Sequence, residues 1–191
     1  YLSFNDSDLL TGNMISDYVK GKKQYEYPEK IQAGIKLHRA IDAFTDIHPA
    51  TPAVKSFFRP AYRLYAGAFA DVVYDYFLAH DASEFSSPED LQLFTANTYL
   101  LLEGRAAYFP PEFSRIFPYM RSQDWLFNYR QDEGMQKSFG GLKQRAQYID
   151  EAETAYAIFL FQKKEINACY TNFFPELKAF AAEMAEEFMT K

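Results

Sequence analysis

The chain has 191 residues, of which 48% are hydrophobic and 24% are charged, and its formal net charge is −6. This length suits one filled hydrophobic core, so we expect a single domain over residues 1–191. The acidic balance argues against nucleic acid as a partner, and no apolar segment approaches the roughly 20 residues that cross a bilayer. Because there is one cysteine, Cys169, and no secretory signal pattern, we expect a cytoplasmic protein.

Hydrophobic periodicity near 3.6 residues recurs along the chain, and no segment alternates with period two between turn residues. We therefore predict an all-α fold, a multi-helix bundle. The predicted helices cover residues 8–20, 28–44, 52–58, 61–79, 88–106, 112–120, 131–145, 150–168 and 175–189, with a further short helix around Trp125 that follows a capping Ser122.

Caps and helix breakers set several of these boundaries. Asp6 or Ser7 can cap the first helix, and Thr51 can cap the third. Pro60 is expected to separate the third helix from the fourth. Gly12 lies inside the first helical pattern at a cost in helix propensity, which suggests that the backbone approaches another element closely there.

The most informative segment is the second predicted helix, where ionisable side chains continue an apolar stripe. Ile31, Ile35, His38 and Asp42 follow one another at intervals of four, three and four residues, which places them on one helix face. A buried, unpaired carboxylate is costly, so Asp42 must be protonated, paired with a cation or bound to a metal.

Polar and acidic residues continue the stripes of two more predicted helices, with Asn13 and Asp17 on the first and Asp71 and Asp75 on the fourth. If the three stripes pack together, these groups and His38 meet in the interior, where mutual repulsion requires a cation. Any one of them alone is more typical of a surface pair or a satisfied hydrogen bond. The set favours a divalent metal site, which can activate water for phosphoester hydrolysis.

Four segments together resemble the acyl carrier protein phosphodiesterase family, a divergent relative of the HD-type metal phosphohydrolases. They are GNMISDYVKG at 12–21, GIKLHRAIDAFTD at 34–46, ADVVYDYFLAHD at 70–81 and SQDWLFNYR at 122–130. The resemblance covers most of the chain. It implies an HD-like all-α fold and a manganese-dependent phosphodiesterase that removes the 4′-phosphopantetheine arm from holo acyl carrier protein.

The resemblance also implies the site residues. Matched by position, Arg39 would meet the phosphate oxygens, and five side chains would hold the metal or its water: Asp17, His38, Asp42, Asp71 and Asp75. The sequence departs from the family where Tyr76 replaces a frequent histidine, and His80, one turn further on, is a possible substitute. Family members typically begin with a histidine-bearing segment, and we expect that one ligand lies there, upstream of Tyr1.

Two other functions stay open at this point, a small-molecule phosphohydrolase acting on nucleotides and a non-catalytic helical module that binds a carrier protein. Magnesium and iron are alternatives to manganese, and the residues do not determine the oligomeric state. An acidic carrier would require a basic surface on a protein of net charge −6. The candidates for that surface are Lys20, Lys22, Lys23, Arg39, Lys55, Arg59 and Arg63.

Overall fold

The computed structural model describes residues 1–145, 149 and 152–190. Over these residues the chain forms α-helices and short 3₁₀ turns and no strand, which confirms the all-α prediction. None of the described helices is both long enough and apolar enough to cross a membrane. The α-helices in this part of the chain, α1 to α10, are Ser7–Ile15, Glu29–Ile47, Ala50–Tyr62, Ala66–His80, Pro88–Glu103, Pro111–Ser122, Trp125–Asn128, Asp132–Arg145, Glu153–Phe161 and Lys163–Thr190.

The chain divides into two compact units. Unit 1 comprises Tyr1–Asp46, Phe94–Gln123 and Pro175–Lys191, and unit 2 comprises Ile47–Leu93 and Asp124–Phe174. Helices α5 and α10, and α2 by its last residue Ile47, contribute residues to both units. The expectation of a single domain and the HD-like arrangement both stay predictions.

Unit 1 is built on the packing of α1 and α2 against the end of α10. The predicted cap of α1 is confirmed, because the Asp6 carboxylate accepts hydrogen bonds from the backbone N–H groups of Asp8 and Leu9 at 2.9 and 3.0 Å. Leu9 and Leu37 are buried together with Ala181 of α10. This core holds α1 against α2 and thereby aligns the polar residues that follow on each helix.

Two glycines set the distance between α1 and α2. A Cβ atom on Gly12 would lie 2.0 Å from the carbonyl oxygen of Ile31, and one on Gly34 would lie 2.3 Å from the carbonyl oxygen of Leu9. No side chain fits at either position without moving a backbone. The close approach suggested by Gly12 is therefore confirmed, and Gly34 is its counterpart on α2.

Unit 2 has an aromatic core. Phe58 of α3, Phe69 of α4 and Phe139 of α8 are fully buried. The ring centroids of Phe58 and Phe69 are 5.6 Å apart, and those of Phe69 and Phe139 are 5.4 Å apart. These separations are in the favourable range for aromatic pairs, so part of the high aromatic content of the chain is core packing.

Several predicted boundaries were wrong. Helix α1 ends at Ile15 and passes into the 3₁₀ turn Ser16–Tyr18, instead of continuing to residue 20. Thr51 is buried inside α3 and caps nothing; the Ala50 N–H donates instead to Nδ1 of His48 at 3.2 Å. Helix α3 also continues through Pro60, and the break comes at Arg63, whose φ of 48° is left-handed.

The C-terminal helices differ from the prediction in a similar way. Helix α10 runs without interruption through Pro175, where two helices were predicted. The cap of α7 is Asp124, whose carboxylate accepts from the Phe127 N–H at 3.4 Å, and not Ser122. The predicted helix start at residue 150 lies outside the described residues.

Candidate metal centre

His38 lies at the centre of a cluster of three metal-capable side chains in unit 1. Its Nε2 atom is 3.2 Å from Oδ2 of Asp42, one turn further along α2, and 3.4 Å from Oδ1 of Asp17 in the 3₁₀ turn after α1. One ligand atom from each residue lies within 4.8 Å of the other two. The structure therefore brings together three of the five predicted metal ligands.

Asn13 orients the imidazole of His38 from the opposite side of the ring. Nδ1 of His38 is 3.0 Å from Oδ1 of Asn13, and the amide nitrogen of Asn13 donates to Oγ of Ser3 at 3.4 Å. Because the amide hydrogens face Ser3, the amide oxygen faces the ring and accepts a hydrogen bond from Nδ1–H. This arrangement directs Nε2 at the two carboxylates, which is the usual way that a partner fixes a metal-binding histidine.

Hydrogen bonds on both sides of Asp17 hold its turn against α2. On one side the Ser16 hydroxyl donates to the carbonyl oxygen of Ile35 at 3.5 Å. On the other side Arg39 donates through Nη2 to the carbonyl oxygen of Val19 at 2.9 Å and through Nη1 to Oε1 of Gln24 at 2.6 Å. Arg39 thus positions the segment around Asp17, and its contact with phosphate stays a prediction.

The cluster lies at the surface of unit 1 and not in its interior. Ile31 and Ile35 are fully buried, but along the same face the side-chain exposure rises to 23% at His38 and 60% at Asp42. Asp17 is 81% exposed. The expectation that these carboxylates meet in a dry interior was wrong, because the face of α2 leaves the core between Ile35 and Asp42.

The two carboxylates make His38 an unusually strong base. Burial of the ring opposes its protonation, but hydrogen bonds and charges from Asp17 and Asp42 outweigh that effect and raise the pKa of His38 to about 9. In the metal-free protein at neutral pH, His38 is therefore an imidazolium ion between two carboxylates. A cation at this position is electrostatically favoured, whether it is a proton or a metal.

The donor set fits a divalent metal ion. Two carboxylate oxygens and one imidazole nitrogen are ligands that manganese, iron, magnesium and zinc accept, whereas soft thiolate ligands are absent from this cluster. Three protein ligands leave coordination positions for water and substrate, as in catalytic sites generally. The geometry gives no preference among these metals.

The other two predicted ligands, Asp71 and Asp75, belong to α4 in unit 2. Asp71 is exposed and Asp75 is partly exposed. Desolvation and the nearby charge of Asp71 raise the pKa of Asp75 to about 7, and a hydrogen bond with Tyr129 opposes this shift. Their participation in a metal shell stays a prediction.

Tyr76, which stands where the family often has histidine, is buried in unit 2 and engaged in a contact of its own. Its hydroxyl accepts a hydrogen bond from Nζ of Lys163 at 2.6 Å. Nδ1 of His80 is 2.9 Å from the carbonyl oxygen of Tyr76, within the same helix. The role of His80 as a substitute ligand stays a prediction.

The comparisons with known proteins agree with these motifs. The family model for acyl carrier protein phosphodiesterase matches residues 1–177. Two proteins with that name, from Salmonella paratyphi A and Salmonella dublin, are each 28% identical to this chain, over 185 residues (97% of this chain, 96% of the relative) and 176 residues (92% and 91%). No solved structure matches. Since the family model covers nearly the whole length, the chain belongs to the acyl carrier protein phosphodiesterase family.

Proposed function

We propose that this protein is a metal-dependent phosphodiesterase that hydrolyses holo acyl carrier protein to the apo protein and 4′-phosphopantetheine. The observation that carries the proposal is the Asp17, His38 and Asp42 cluster, within a chain whose relatives are named for this activity. We infer manganese as the metal and the cytoplasm as the location, both from the family resemblance.

Each residue of the cluster has a role in this proposal. His38 and the two aspartates would hold the metal, and Asn13 would keep Nε2 of His38 directed at it. When bound, the metal supplies a Lewis acid that polarises the phosphoryl oxygen and acidifies a water molecule. The exposure of Asp17 and Asp42 leaves room for a phosphodiester that is presented by another protein.

The carrier would need a positive surface near the cluster, because an acidic partner is repelled by a net negative enzyme. Lys20, Lys22 and Lys23 are exposed and follow Asp17 directly in unit 1. Gly21 adopts a left-handed φ of 59° between them, and Arg39 ties the segment to α2 through Gln24. We propose these three lysines as the first contact with the carrier.

The activity is tested by incubating holo acyl carrier protein with the purified protein and Mn²⁺ and weighing the carrier by mass spectrometry. We expect the carrier to lose the mass of its phosphopantetheine arm, and a chelator to prevent the loss. Asp42→Asn should abolish the activity, whereas Glu183→Gln, an exposed carboxylate of α10 in the same unit, should leave it intact. An unchanged carrier mass with folded, metal-loaded protein refutes the proposal.

The two alternatives give different results in the same experiments. A nucleotide phosphohydrolase would leave the carrier unchanged but release phosphate from a panel of nucleotides. A non-catalytic module would bind the carrier without altering its mass, and the binding would survive Asp71→Ala and Asp75→Ala.

A further inference from the structure

A groove on unit 2 has features of a binding site that the proposed reaction does not use. It has a volume of about 590 Å³, which is within the usual range for small-molecule sites. It lies among α4, α9 and the start of α10, and its lining residues include Tyr76, His80, Phe161, Lys163 and Lys164. Among the residues that the structure describes, no aspartate or glutamate lines it, although the protein as a whole is acidic.

Two lysines and a tyrosine hydroxyl are among the groups that line this groove. Lys163 is fixed in place, because Nζ donates to the Tyr76 hydroxyl at 2.6 Å and lies 4.7 Å from the centroid of the same ring. An ammonium group has three hydrogens, so Lys163 retains donors beyond this bond. Lys164 is exposed and makes no ion pair within the described part of the chain.

Of the three charged groups that act on His80, Arg130 and Lys163 are cations and Asp132 is an anion. Desolvation lowers the pKa of His80, and the charges of Arg130 and Lys163 lower it further, while the bond to the Tyr76 carbonyl and the charge of Asp132 oppose them. His80 is therefore neutral at physiological pH and adds a hydrogen-bonding ring to the groove without adding charge. A group that gains from the net positive charge of these three is an anion.

Two exposed apolar side chains also line the groove. Phe161 is 83% exposed and Leu160 is 51% exposed at the end of α9, and both line the groove with the edge of the buried Phe77. These two side chains therefore offer apolar contact area beside the two lysines. Burial of apolar surface there would contribute to binding in proportion to the area removed from water.

We propose that this groove binds an alkyl carboxylate, with the carboxylate at Lys163 and Lys164 and the alkyl chain along Phe161 and Leu160. The Tyr76 hydroxyl accepts from Lys163 and therefore has its own hydrogen available for a carboxylate oxygen. The alkyl chain would lie against the side chains of Phe161 and Leu160, which are already exposed, so no core residue has to move. This inference is independent of the proposed phosphodiesterase reaction.

Isothermal titration calorimetry on the full chain tests the proposal with decanoate, kept below its micelle concentration. We expect saturable binding with a dissociation constant of about 1 mM or tighter. Butyrate has the same carboxylate on a much shorter alkyl chain, and decyltrimethylammonium has a ten-carbon chain with a cationic head group. Both should bind at least about fivefold more weakly than decanoate. Decyl phosphate shows whether the site prefers a carboxylate or accepts any anionic head.

Two exposed positions and two matched controls locate the site. Lys164→Gln and Phe161→Ser should each weaken decanoate binding by about fivefold or more. Lys143→Gln and Leu93→Ser remove an exposed lysine and an exposed leucine elsewhere in unit 2 and should leave it unchanged. The proposal is overturned by the absence of saturation, by equal binding of decyltrimethylammonium, or by equal losses in the control variants.

Discussion

The crossing of α1 and α2 at Gly12 and Gly34 gives the sharpest prediction, because it links the fold to the metal cluster. Gly34→Ala adds one methyl group to α2, which would lie 2.3 Å from the Leu9 carbonyl oxygen and 2.9 Å from the Cα atom of Gly12. Both neighbours are backbone atoms, so no side-chain rotation can relieve the contact. The helices must separate, or one of them must distort.

The size of the effect follows from the contact distances. Ordinary contacts of a Cβ atom begin near 3.4 Å, so the added methyl at Gly34 requires about 1 Å more space. Overpacking of this kind costs about 1–3 kcal/mol, and replacing a helical glycine with alanine returns at most about 1 kcal/mol. We expect Gly34→Ala to lower the free energy of unfolding by about 2 kcal/mol.

The same displacement should reach the metal cluster. Asn13 and Asp17 follow Gly12, and His38 follows Gly34 by one turn, so a shift at the crossing changes the distances around Nε2. Metal sites tolerate only about 0.2 Å of ligand error, so we expect affinity for Mn²⁺ to fall by about tenfold or more.

Urea unfolding and Mn²⁺ titration of the two proteins measure both effects. Gly140→Ala is the matched control, because a Cβ atom there has nothing within 4 Å, and it should raise stability by about 0.5 kcal/mol without affecting metal binding. Gly34→Ala that is as stable as the wild type and binds Mn²⁺ equally well would refute the reasoning.

Three further predictions follow from individual contacts. Asn13→Ala should lower Mn²⁺ affinity by about tenfold to a hundredfold while the free energy of unfolding changes little, as Mn²⁺ titration and urea unfolding measure. Arg39→Lys keeps the positive charge but loses the guanidinium group that donates to the Val19 carbonyl oxygen. If Arg39 positions the segment around Asp17, the variant should bind Mn²⁺ more weakly in the same titration. If Arg39 contacts only phosphate, Mn²⁺ binding should be unchanged. Burial raises the pKa of Tyr74 to about 12 from an ordinary value of 10.0, so the stability that its neutral phenol contributes is fully present below pH 10 and is lost as the pH rises through 12. Between those pH values the free energy of unfolding of Tyr74→Phe should therefore fall less than that of the wild type, as urea unfolding measures.

The positions of most helices follow from periodicity, but the effect of the prolines does not. Pro60 and Pro175 each remove a backbone hydrogen-bond donor, at a local cost of about 3 kcal/mol. Buried residues stand on both sides of each proline, with Phe58 and Tyr62 around Pro60 and Phe174 and Leu177 around Pro175. Breaking the helix would expose these side chains, so tertiary packing outweighs the local preference, and local sequence carries no information on that packing.

The three residues of the candidate metal cluster could be predicted from the sequence, but their exposure to solvent could not. Regular spacing on α2 identified His38 and Asp42, and a second stripe added Asp17. The exposure of the site depends on where α2 leaves the core. That point is set by the helices that pack against α2 and not by the spacing of apolar residues along α2. Ser3 precedes α1 and belongs to no helical pattern, so its bond with Asn13 could only be seen in three dimensions.

The electrostatics of the cluster lead to a last prediction, on metal removal. Mutual repulsion of buried acids would make a metal necessary for folding, but Asp17 and Asp42 are exposed and are separated by a protonated His38 that supplies a positive charge. Solvent screening and this imidazolium remove most of the repulsion. We therefore expect the chelator-treated protein to keep its far-ultraviolet circular dichroism and a cooperative thermal transition. Loss of helical signal on chelation, restored by Mn²⁺, would show that the metal is a structural part of the fold.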